Sequence, residues 1–72
     1  MNDRFIEYEQ VFETYNPGDI AFLKSILDAS GIIYFIQGEH SAPLVYYAVP
    51  MRLMVKKEQV AEVRDILKDI EL

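Results

Sequence analysis

The residues best suited to chemistry lie in one stretch, Gly38-Glu39-His40-Ser41, which holds the only histidine of a chain that has no cysteine. A histidine beside a carboxylate could serve as a general acid-base pair or as two ligands of a metal ion. Adjacent residues of an extended chain point to opposite sides, however, so Glu39 and His40 do not converge on one ion, and no third ligand presents itself. Ser41 is near, but there is no Gly-x-Ser-x-Gly elbow and no triad spacing. Gly18 and Gly38 are isolated turn glycines and build no phosphate cradle. The expectation is a protein that is not an enzyme, with no catalytic residue, cofactor or metal. A small enzyme using Glu39 and His40 is the competing reading, and a purely structural homo-oligomeric subunit a third.

The segment after His40 is unusual for a loop. The connection from about Gln37 to Val49 is polar only as far as Ser41, and after Pro43 it runs apolar through Leu44-Val45-Tyr46-Tyr47-Ala48-Val49 to Pro50. Left in water, such a run would form an apolar patch that monomers seldom tolerate. Either it lies on its own sheet or on a second chain, or it forms one wall of a small-molecule or peptide cleft with Gly38-Glu39-His40 at the rim. Gly38, Glu39, His40, Tyr46, Tyr47 and Arg52 are therefore the candidate ligand- or partner-binding residues.

The length of 72 residues allows one domain, near the size at which a single core just suffices, so association would help it. A net charge of −5 with scattered lysines and arginines argues against nucleic acid as a partner. No run reaches the length of a membrane span, the N-terminal residues do not read as a secretory signal, and the lack of cysteine fits a reducing compartment. Those features predict a cytoplasmic protein with no membrane partner. Glu58, Glu62, Asp65 and Asp69 step along the last segment as one acidic seam, read as a solvated helix face, with docking of a basic partner as the alternative.

Periodicity and turn residues define the scaffold around this stretch. Val11 to Tyr15 is aromatic and β-branched and stops at Asn16-Pro17-Gly18, giving a first strand. Asp19 is the expected N-cap of a helix carrying Ile20, Leu23 and Leu27, its stripe widened by Phe22, Ile26 and Ala29, and Gly31 is its C′ stop. Ile32 to Ile36 reads as the second strand and Met51 to Lys56 as the third, with Met51, Leu53 and Val55 on one side and Arg52, Met54 and Lys56 on the other. Val60, Val63, Leu67 and Ile70 mark the buried side of a helix over Lys57 to Ile70, broadened by Ile66.

The order β-α-β-β-α predicts a single α+β domain over residues 1–72 on the ferredoxin-like split-βαβ plan, with two helices on one face of a small sheet and residues 1–8 loosely held or forming an extra strand. The fourth strand that would complete that plan is missing, so its usual strand order makes strand one an edge. That order also leaves open the sheet face away from the helices. Yet strand two is apolar on both sides, Ile33 and Phe35 on one and Ile32, Tyr34 and Ile36 on the other, so something must cover that face: Phe5 to Tyr8, the long loop, or a second subunit.

The runs "TYNPGDIAFLKSILDASGIIYFIQGEH" and "RLMVKKEQVAEVRDIL" resemble a small bacterial family of unknown function described as a putative prokaryotic signal transducing protein. The matching residues are Ile26, Leu27, Gly31 and Ile32, then Leu53, Val55, Ile66 and Leu67, with Val63 where that family often has alanine. The resemblance spans about residues 10 to 70. It implies a ferredoxin-like, PII-like fold and a signalling role. Taken with the reading of the residues, the expectation is a regulatory or interaction module, a homodimer that binds a protein or small-molecule ligand through the 37–50 loop and the open sheet face. It carries over no catalytic residue.

Overall fold

A computed structural model describes residues 6–38 and 50–70. The elements are β1 (Tyr8–Thr14), α1 (Pro17–Ala29), β2 (Tyr34–Gln37), β3 (Met51–Lys56), a 3-10 turn at Lys57–Gln59, and α2 (Val60–Lys68). The order is the β-α-β-β-α of an α+β domain, and the three strands form one antiparallel sheet in the order β1-β3-β2. Among the described strands β3 is thus central and β1 lies at an edge, as expected for the ferredoxin-like plan without a fourth strand.

β3 organises both sides of the sheet. Its alternation puts Met51, Leu53 and Val55 in the interior and leaves Arg52, Met54 and Lys56 half-buried on the other face. Leu23 and Leu27 of α1, Ile32, and Val60 and Val63 of α2 join Leu53 and Val55 in one apolar cluster, so both helices cover the same face.

β1 is longer than its β-prone residues indicate, beginning at Tyr8, and its register against β3 shifts between Gln10 and Phe12. The extra residue of this bulge lets Val11 and Phe12 both pack toward the core, which strict alternation would forbid. Glu7, Glu9 and Glu13 beside and within the strand pair with Lys57, Arg64 and Arg52 at 3.3, 2.8 and 3.2 Å. A bulge and a row of charges are devices that discourage an edge strand from recruiting another strand.

The start of α1 corrects one expectation. Its N-cap is Asn16, not Asp19: the Asn16 side chain accepts the Gly18 N–H at 2.8 Å, and Pro17 takes the first helical position. Proline fits there because its φ is preset and its missing N–H would have had no partner. Asp19 lies in the first turn instead and accepts a hydrogen bond from the Thr14 hydroxyl at 2.9 Å. The apolar stripe is also narrower than expected, since Phe22 and Ala29 are exposed and Ile26 is half-buried.

Gly31 ends α1 as its C′ residue with φ +71°, where an added Cβ would meet no atom within 4 Å. Gly31→Ala should therefore cost only the left-handed backbone penalty, about 1–2 kcal/mol, seen as a lowered urea midpoint. A larger loss would mean that a clash, not conformation, selects glycine here.

In α2 the seam separates from the core: Val60 and Val63 are buried, while Glu58, Glu62, Asp65 and Asp69 are exposed. Leu67 and Ile70 are half-buried instead of fully so, Leu67 in the last turn of the helix and Ile70 just past its end, both packed against the core cluster.

Candidate functional site

The sheet face turned away from the helices is the candidate site. Register places its outward residues in three rows across β1, β3 and β2. Tyr8 and Lys56 stand in the first row with Ile33 just before β2, Gln10, Met54 and Phe35 fill the second, and Glu13, Arg52 and Gln37 the third. Antiparallel sheets with one solvated face normally carry polar residues there. This face is instead apolar through much of its first two rows.

Ile33 and Phe35 remain 45% and 43% exposed. The Phe35 ring meets Tyr8 edge to face, with centroids 4.9 Å apart and planes at 80°. Because β3 separates their strands, the two rings reach toward each other across the central strand, the geometry aromatic pairs favour. The third row is polar: Arg52 Nε donates to Glu13 Oε2 at 3.2 Å, beside Gln37. An apolar platform with a charged end can hold an apolar partner and orient it by a polar contact.

The sequence candidates fall partly on this surface. Arg52 belongs to its polar row. Gly38 follows Gln37, the register partner of Arg52, with φ +90°, at the same end of the sheet. Glu39, His40, Tyr46 and Tyr47 lie outside the described residues, as do Phe5 and the whole Leu44 to Val49 run. Among the described residues no group of three His, Asp or Glu side chains could hold a metal ion, and no helix is long and apolar enough to cross a membrane.

Tyr8, which pattern placed only in a loosely held or extra-strand segment able to cover this face, is the first residue of β1 itself. Its neighbours Glu7, Glu9 and Gln10 have low strand propensity, and only pairing with β3 draws Tyr8 into the sheet. Alternation does place Met54 and Lys56 opposite the core, although nothing local marks them as part of a surface.

A family model described as "Putative prokaryotic signal transducing protein" matches residues 8–71. The chain belongs to that family. The match runs from the first residue of β1 to beyond α2, so it takes in every element of the fold and both rows of the apolar platform. No curated protein and no solved structure matches the chain.

Proposed function

We propose that this family member is a non-enzymatic, cytoplasmic regulatory or interaction module, PII-like in plan, that acts through the outer face of its sheet. The observation that carries the reading is the exposure of Ile33 and Phe35 where a solvated sheet would be polar. The family description gives the signalling context. A second copy of the chain is the first partner to test, since so small a fold gains most from association and two-fold dimers are the commonest assembly. A protein or small-molecule ligand on the same face, with the 37–50 connection beside it, is the other occupant in keeping with this reading.

The test compares the parent with the double variant Ile33→Ser, Phe35→Ser. The parent should sediment above monomer mass, or retain a stoichiometric ligand or protein partner, and the variant should lose that association while keeping its circular dichroism spectrum. A Glu39→Gln, His40→Asn variant should behave like the parent. Identical association by the parent and the serine variant would overturn the proposal.

A further inference from the structure

Ile33 can face outward only if the chain between α1 and β2 is held in one rotation, and no ladder hydrogen bond does this alone. The Ile33 carbonyl accepts the Lys56 N–H at 3.0 Å. Its own N–H goes elsewhere, to Oε1 of Gln59 at 2.7 Å. The other end of the same carboxamide, Nε2, donates to the Gly31 carbonyl at 3.3 Å. One side chain from the 3-10 turn before α2 thus holds both ends of the Gly31-Ile32-Ile33 segment. Ile32, between these two anchor points, is buried in the core. With the middle residue fixed inward and both flanking backbone groups fixed by Gln59, Ile33 has only the outer face left to it.

We infer that Gln59 is a positioning residue for the outer face, setting the direction in which Ile33, and through it the start of β2, is presented to a partner. The inference rests on the function proposed above for what the face does, but the geometry is independent of it. The chemistry is specific to a carboxamide, since the site needs one acceptor and one donor on a single planar group. A carboxylate supplies only the acceptor, and a thioether of similar length supplies neither at useful strength.

The experiment is backbone amide hydrogen exchange by NMR on the full chain with Gln59→Met and Gln59→Glu. In Gln59→Met the Ile33 amide should exchange faster by about tenfold, the loss of one intramolecular hydrogen bond, while the Leu53 and Val63 amides keep their rates. Gln59→Glu should restore slow exchange at Ile33. Unchanged exchange at Ile33 in Gln59→Met overturns the inference, and so does a uniform rise across Leu53 and Val63, which would mark Gln59 as a global stabiliser. The association seen in the serine-variant test is measured on the same samples. Weaker association in Gln59→Met is the expected result, and association equal to the parent overturns the positioning role. Were the parent itself to show no association, the exchange result would still decide the geometry, so the two readings fail separately.

Discussion

Leu53→Ala should bring the chain close to unfolding at room temperature. Leu53 is 0% exposed on the central strand, with Phe12 and Ile36 as its register partners and Leu23, Leu27, Val55 and Val63 in the same cluster. A fold of this size is worth roughly 4–11 kcal/mol in total, and truncating a buried leucine costs about 2–5 kcal/mol through lost transfer energy and the cavity left behind. Sheet and both helices meet at this side chain, so the cavity cannot close by moving one element alone. Leu67→Ala is the control: its half-buried side chain lies near the end of α2, and its loss should be well under that of Leu53→Ala. Urea midpoints of the two variants decide the matter, and equal losses would mean that the core is not centred on β3.

The contrast between those leucines shows what local pattern can and cannot supply. β3 was legible to the residue because a strictly alternating strand buried on one side writes its period directly into Met51 to Lys56. α2 was legible for the same reason at helical period, except at Leu67 and Ile70, where apolarity gives the side a residue faces but not how far the sheet extends beneath it. β1 was legible only in part. Glu9 and Gln10 lack a local strand signal, and their strand conformation comes from pairing with residues more than 40 positions later, with Lys57 and Arg64 supplying charge partners to Glu7 and Glu9. The bulge at Val11 has no local signature at all. At the start of α1, Asn16 and Asp19 are both competent caps, and Pro17 decides between them.

The outer face divides in the same way. Alternation puts Ile33 and Phe35 on one side of the strand and Ile32, Tyr34 and Ile36 on the other, so the conflict with an open sheet is visible in the sequence, but which set faces outward is settled only by the burial of Ile32. The Tyr8 ring that completes the platform and the Gln59 carboxamide that fixes its edge are not visible there, because both depend on contacts between distant elements whose distances no local spacing encodes.

Val63→Asp should remove most of the fold's stability at neutral pH, whereas Ala61→Asp, two residues away, should change stability by no more than about 0.5 kcal/mol. Val63 is 0% exposed, and among the described residues the core holds no buried polar or charged side chain that could receive a carboxylate. An unpaired buried charge costs on the order of 3–5 kcal/mol, added here to the lost packing of valine, against a fold of about 4–11 kcal/mol. Ala61 is exposed in the first turn of α2, where an aspartate's poor helix propensity is offset by its favourable position near the helix N-terminus. The pH dependence fixes the cause. Burial raises the folded-state pKa of the carboxyl introduced at position 63 above its unfolded value, so the destabilisation relative to the parent is greatest above the folded pKa. It shrinks as pH falls through that pKa and is least below about 4, where the group becomes neutral in the unfolded state as well. Urea melts of parent and both variants at neutral and mildly acidic pH measure this. A Val63→Asp deficit that did not shrink on acidification would assign the loss to packing alone, and a deficit for Ala61→Asp matching that of Val63→Asp would show that α2 does not present Val63 inward.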